Sequence, residues 1–245
     1  MKGETRRPIG IIGAMDEEIR TIKRSLQDVR EVRRGLYGFL TGNIDGIPAV
    51  LLQSGIGKVN AAIGTTLLIE QFQPLLIINT GSAGGIEPSL HVGDIIIAQE
   101  ILHHDVDTTA FGYAKGQIPK MPAAFEPERL LLDLAVKLSE SMTRVRFFVG
   151  SIASGDIFMD DPERVMALRK DHPGLLAVEM ESAAIAQTCY QMQVPYIVFR
   201  SVSDLANSKS PGDFTKNLKI ASENSAAAVL TLIELLTAPQ AATPA

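Results

Sequence analysis

The sequence predicts an α/β protein, a single-domain three-layer α/β/α sandwich built on a mixed, mainly parallel central sheet. Three observations carry this. Short runs rich in Ile and Val, too uniformly apolar for half-exposed strands, recur along the 245 residues. Between them lie segments with apolar residues at three-to-four spacing, the signature of one-sided helices. Strand alternating with helix is the order that yields parallel strands with helices on both faces.

In chain order, "IGIIGA" (9–14) reads as the first strand and "DEEIRTIKRSL" (16–26) as a helix. "LYGFLTGNIDGIPAVLL" (36–52) reads as two strands joined by a turn from Asn43 to Gly46, and this hairpin makes the sheet mixed. A helix follows at 58–72, then strands in "LLIINTG" (75–81) and "DIIIAQEI" (94–101) and a helix at 126–142. "FFVGSIAS" (147–154), "LLAVE" (175–179) and "PYIVFRSVSD" (195–204) supply further strands, alternating with helices at 161–171, 181–193 and 213–236. Gly93, Pro162 and Pro195 punctuate the joints. With no repeat and no linker, one domain spans 9–236. Residues 1–8 and the Ala/Pro/Thr tail 237–245 are expected to be flexible.

Composition narrows the function. A net charge of −5 without a basic stripe disfavours nucleic acid. No apolar run approaches the ~18 residues of a membrane span, and the N-terminal apolar stretch is too short for a signal sequence. One cysteine, Cys189, excludes an intramolecular disulfide framework and fits a reducing cytoplasm. His103 and His104 are adjacent on a strand, so they point to opposite faces, and no metal is expected. Neither a G-x-G-x-x-G nor a G-x-x-x-x-G-K-[ST] motif occurs, and no cofactor is expected.

Ligands of open α/β sheets sit at the carboxyl ends of strands. The segments there include "GAMDEE" (13–18), "NTGSAGG" (79–85), "VEMES" (178–182) and "RSVSD" (200–204). In "AVEMESAAIA" (177–186), Glu179 and Glu181 are set among apolar residues, where an unpaired charge is costly unless something binds it. Asp204 ends a mostly apolar run; it fits either a partly desolvated proton donor or a capping aspartate. Glu18 is one of three acids opening a helix, where the dipole favours any of them. "TGSAGG" is either a plain turn or backbone able to approach a flat ligand, with the Ser82 hydroxyl at hand.

"IGIIGAMDEE", "LLQSGIGKVNAA", "INTGSAGG", "VGDIIIA", "HHDVDTTAFGYAKGQIP", "SGDIFM", "AVEMESAAIA" and "RSVSD", in this order, resemble the 5′-methylthioadenosine/S-adenosylhomocysteine nucleosidases of the purine nucleoside phosphorylase superfamily. The resemblance runs in register from about Ile9 to Leu236. It implies hydrolysis of the bond between adenine and ribose in methylthioadenosine, S-adenosylhomocysteine and 5′-deoxyadenosine. A 6-amino-6-deoxyfutalosine hydrolase or a phosphate-dependent phosphorylase are the alternatives within the superfamily.

By the same resemblance, Glu18 matches the residue that activates water, Asp204 the acid that protonates adenine, and Glu181 the carboxylate that holds the ribose hydroxyls in ionised form. Ser203 matches the support of Asp204, and Met180 the residue packed on the sugar. Phe158 matches the aromatic stacked on adenine, with Met159 beside it. Met15, Ile56, Ser82, Ala83 and Gly84 match the ribose and water side, and Arg200 fits the family pattern. Glu179 is left between the ribose and a structural role. Phe214, in the loop 205–214, is expected beside the alkylthio group. Phe111 and Pro119 match residues lent across a homodimer interface. Thr108 stands where the family often has an apolar residue.

Overall fold

In a computed structural model, described for residues 6–206 and 211–237, the chain forms nine strands and six α-helices. The order is β1 (Ile9–Gly13), α1 (Asp16–Ser25), β2 (Gln27–Arg34), β3 (Tyr37–Ile44), β4 (Ile47–Gln53), α2 (Lys58–Phe72), β5 (Leu76–Gly85) and β6 (Ile95–His103). It continues with α3 (Arg129–Ser141), β7 (Phe147–Ser154), α4 (Pro162–Asp171), β8 (Leu175–Glu179), α5 (Ser182–Met192), β9 (Tyr196–Leu205) and α6 (Pro211–Thr237). The α/β reading holds, and five of the nine strand pairings are parallel: β1 with β4 and β5, β5 with β9, β6 with β7, and β7 with β8.

The sheet closes at one end. β5 pairs with β9, β9 with β6, β6 with β7, β7 with β8, and β8 returns to β5 at Gly84 and Gly85. This ring crowds the ends of five strands together, which sets the last residues of β5, β8 and β9 around one hollow. Helices cover both faces. Ile12, Leu52, Leu68, Ile77, Ala186 and Val198 pack in one core cluster, and Ile11, Ile22, Leu51, Ile78, Phe199 and Leu232 in the other.

Three expectations are corrected. β2 has no counterpart in the sequence reading, because "QDVREVRR" is charged and exposed along nearly its whole length; it is an edge strand held by pairing with β3. Charges along an edge also discourage pairing with other chains. Helix α6 begins at Pro211, so Phe214 lies in its first turn and not in a loop. The stretch 212–237 has the length and mean hydropathy of a membrane span, 1.2 over its best window. Its apolarity is explained by packing, since Ala221, Ala226, Val229 and Ile233 are buried against the domain. Of the segments expected to be flexible, residues 1–5 and 238–245 lie outside the described residues, and Thr237 is helical.

Candidate active site

A cleft opens where the strand ends converge, walled by Met15, Glu18, Ile56, Ser82, Ala83, Gly84, Phe158, Met159, Glu179, Met180, Glu181, Ser203, Asp204 and Phe214. Each of these was expected from the sequence. Ala14, Ile157 and Val178 complete the wall and were not. Arg200 stands behind it, 1% exposed. Phe111 and Pro119 are exposed and form no part of the cleft of their own chain.

Glu18 is the third residue of α1, and its side chain turns back over the helix start. Oε2 accepts N–H groups of Ala14 (2.9 Å) and Met15 (3.2 Å), while Oε1 accepts from the Ser82 amide (2.8 Å) and hydroxyl (2.9 Å). Its neighbours Asp16 and Glu17 instead face solvent and pair with Arg20. Position within the first turn, not acidity, therefore separates the three acids.

The turn between β8 and α5 places the other two glutamates. Glu179 accepts the amides of Glu181 (3.0 Å) and Ser182 (2.9 Å) at the start of α5, bonds the Ser154 hydroxyl, and pairs with Arg200 Nη2 at 2.5 Å. Both of its oxygens accept bonds from the protein, and the side chain also lines the cleft. Glu181 points the other way, where Oε1 accepts the Gly57 amide at the start of α2 (2.9 Å), and Oε2 lies 3.6 Å from Arg200. Burial, then the neighbouring Glu179, push Glu181 up to about 8 against the pull of Arg200 and Gly57. Burial thus favours the protonated form of Glu181. A diol donating two hydrogen bonds favours ionisation again.

Arg200 is the shared cation. It reaches Glu179 directly and approaches Glu181 and, at 3.9 Å, Glu18. Ser182 Oγ (3.0 Å) and Asn79 Oδ1 (3.1 Å) orient it, and Asn79 donates to the Ile12 carbonyl. The sequence reading missed Asn79, Ser154 and Ser182. The glycines of "TGSAGG", expected either in a plain turn or as an approach for a flat ligand, end β5, and Gly84 lines the cleft. At Gly81 the room is for the protein itself, because a Cβ there would stand 2.2 Å from Arg200 Nη1 and 2.6 Å from Glu18 Oε1.

Asp204 ends β9 across the cleft. Ser203 donates to its Oδ1 at 2.8 Å. Burial raises its pKa, the Ser203 bond opposes this, and Asp213 adds to it. Phe158 and Phe214 meet edge to face beside it, centroids 6.0 Å apart at 82°. The cleft therefore offers three buried glutamates on one side, Asp204 on the other and an aromatic face between. Among the described residues no Lys or Arg lines it, and no cluster of metal ligands occurs.

The family model described as Phosphorylase superfamily matches residues 8–234. A 5′-methylthioadenosine/S-adenosylhomocysteine nucleosidase of Marinomonas sp. (strain MWYL1) is 49% identical over 226 residues, spanning 92% of this chain and 98% of the relative. The chain belongs to the phosphorylase superfamily, within its 5′-methylthioadenosine/S-adenosylhomocysteine nucleosidase family. A nucleosidase of this family from Neisseria meningitidis, solved with methylthio-immucillin-A, superposes with a TM-score of 0.92 at 42% identity, over 94% of this chain and 99% of that one. A futalosine hydrolase of Helicobacter pylori superposes with a TM-score of 0.89 at 32% identity, over 94% and 98%. The nucleosidase relatives are thus similar along nearly their whole length.

Proposed function

We propose that the protein hydrolyses the N-glycosidic bond of 5′-methylthioadenosine and S-adenosylhomocysteine, releasing adenine and the thioribose, in methionine salvage and the methyl cycle. The observation that carries this is one cleft holding Glu18, Glu181 and Asp204 around an aromatic face, with no cation lining it among the described residues.

Cleavage builds positive charge on the ribose and negative charge on the purine. Asp204, kept protonated more readily than an ordinary aspartate by burial, donates to the ring nitrogen and makes adenine a better leaving group. Ser203 holds that carboxyl in place. Glu181 accepts the ribose hydroxyls, and as it ionises its charge faces the developing cation in a site of low water content. Glu18, fixed by amides and Ser82, takes a proton from water. Phe158 stacks on the base, Met159 lies beside it, and Met180 packs on the sugar.

The same geometry disfavours phosphorolysis. A phosphate dianion beside Glu18 would be repelled by roughly 8 kcal/mol at an effective dielectric of about 20 and a separation of about 4 Å. Neither arginine relieves this: Arg20 is at the surface with Asp16, and Arg200 is enclosed by carboxylates. Product analysis with methylthioadenosine, with and without phosphate, tests the reading. Adenine and free methylthioribose in both buffers is the expected result; a sugar 1-phosphate formed only with phosphate overturns it. Turnover of aminodeoxyfutalosine alone would reassign the substrate.

A homodimer completes the proposal. Ile56, Val59 and Ile63 form an exposed apolar stripe at the start of α2, beside Tyr190, and Phe111 is 81% exposed. Seating this face on a second copy lets Phe111 and Pro119 cover the alkylthio end of the partner's cleft. A fully active monomer by sedimentation would remove this part. The reduced, buried Cys189 agrees with a cytoplasmic enzyme.

A further inference from the structure

Glu181 depends on a backbone donor that lies far away in sequence, and that donor has its own support. Gly57 sits at φ 97°, a conformation that suits glycine, and its N–H meets Glu181 Oε1 at 2.9 Å. No side chain of its own caps α2. Instead the next amide, Lys58 N–H, donates to Asp156 Oδ1 at 2.8 Å, so a residue beyond the end of β7 caps the helix from outside. Asp156 is held in turn, since its N–H donates to Asp105 Oδ2 at 3.0 Å. Asp105 then pairs with Lys58 Nζ at 2.5 Å, with both side chains largely covered. The loop of contacts is closed: Lys58 to Asp156, Asp156 to Asp105, Asp105 to Lys58. It ties the segments following β4, β6 and β7, and Asp156 immediately precedes Ile157, Phe158 and Met159 on the cleft wall.

We propose that Lys58, Asp105 and Asp156 form a polar clasp that positions the Gly57 amide against Glu181, and that Asp156 is its central positioning residue for ribose binding. The inference rests on the reading of Glu181 as the ribose carboxylate. Without the Asp156 acceptor, the start of α2 is held at Gly57 only by the Ala61 N–H on its carbonyl, so the adjoining Gly57 N–H is fixed less firmly against Glu181 and stabilises its ionised form less. The clasp also links the sugar side to the segment carrying Phe158, so loosening it acts on both halves of the substrate.

The test compares wild type with Asp156→Ala, Asp156→Asn, Lys58→Met and Glu181→Gln, measuring kcat and KM for methylthioadenosine across pH, together with melting temperature. Asp156→Ala is expected to raise KM roughly tenfold, the effect of one hydrogen bond to a charged acceptor, with kcat changed less and the melting temperature nearly kept. The limb of the pH profile that reports Glu181 moves to higher pH. Asp156→Asn, whose amide oxygen still accepts Lys58 N–H, restores most of both. Lys58→Met, which removes only the ion pair, moves KM the same way by less and serves if Asp156→Ala does not fold. Wild-type KM and pH profile in Asp156→Ala overturn the proposal, as does an Asp156→Asn that is as impaired as the alanine variant. Glu181→Gln separates the two levels of failure. If it leaves KM unchanged, the ribose reading of Glu181 falls; if it raises KM while Asp156→Ala does not, the clasp alone falls.

Discussion

On the sugar side of the cleft Glu18, Glu179 and Glu181 each lie at the N-terminus of a helix and accept backbone N–H groups, whereas Asp204 on the base side ends a strand and receives the Ser203 hydroxyl. Backbone donors at a helix start stabilise carboxylates as anions and hold them without side-chain entropy. A strand end with one hydroxyl donor does so less, and burial then favours the protonated form. The difference matches the tasks: Glu18 meets a water, Glu181 gives up its proton as it meets a cationic sugar, and Asp204 gives one to the leaving base.

The comparison breaks most sharply at Asp204. Asp204→Asn keeps the shape and removes the proton, so adenine release is expected to fall by about 10²- to 10⁴-fold, with an unchanged melting curve. Activity like that of wild type would show that the base leaves without this acid. Next in size is Arg200→Met, which leaves buried carboxylates facing one another without their cation. A loss of roughly 3–5 kcal/mol in urea unfolding is expected for such an uncompensated cluster. A loss under about 1 kcal/mol would mean that the helix N-termini alone sustain the acids.

Much of this was legible in the sequence, and the exceptions have physical causes. The apolar strands are visible because burial on both faces demands uniform apolarity, as in β1 and β9. The edge strand β2 is invisible for the same reason, since pairing on one side asks nothing of its side chains. Helix-dipole reasoning could not separate Glu18 from Asp16 and Glu17; the ordered motifs did. Asn79 carried a usable signal, an amide inside "LLIINTG", which the structure explains as the holder of Arg200. Gly81, Ser154 and Asp156 carried none, because their partners Arg200, Glu179 and Lys58 are distant in sequence and meet them only once the chain is folded, the first two by strand pairing.

Glu181 sharpens the comparison on its sugar side. Its pKa rises from 4.5 unfolded to about 8 folded, so between those values the folded state holds a proton that the unfolded chain has lost. Stability from this group is therefore full below pH 4.5 and declines as pH rises towards 8, by up to about 1.4 kcal/mol per pH unit. Glu181→Gln cannot titrate, and chemical denaturation at pH 5, 6, 7 and 8 should show a shallower fall with pH than wild type. Parallel curves would mean that Glu181 is ionised in the folded protein, like an anion already neutralised by Gly57 and Arg200.

The smallest effect is expected at Phe214, on the base side. It lies in the first turn of α6 and meets Phe158 edge to face, an arrangement that contributes about 0.5–1.5 kcal/mol beyond simple burial. Phe214→Leu keeps an apolar wall but gives up the ring edge that steadies Phe158, which is 45% exposed. KM for methylthioadenosine should rise by roughly two- to tenfold, the range that this energy implies, while kcat changes little because Asp204 is held by β9 and the Ser203 hydroxyl, which the substitution leaves in place. A fall in kcat with KM unchanged would reverse the assignment: α6 would then be aligning the acid through Asp213, which bears on Asp204 electrostatically, and not steadying the surface on which the base rests.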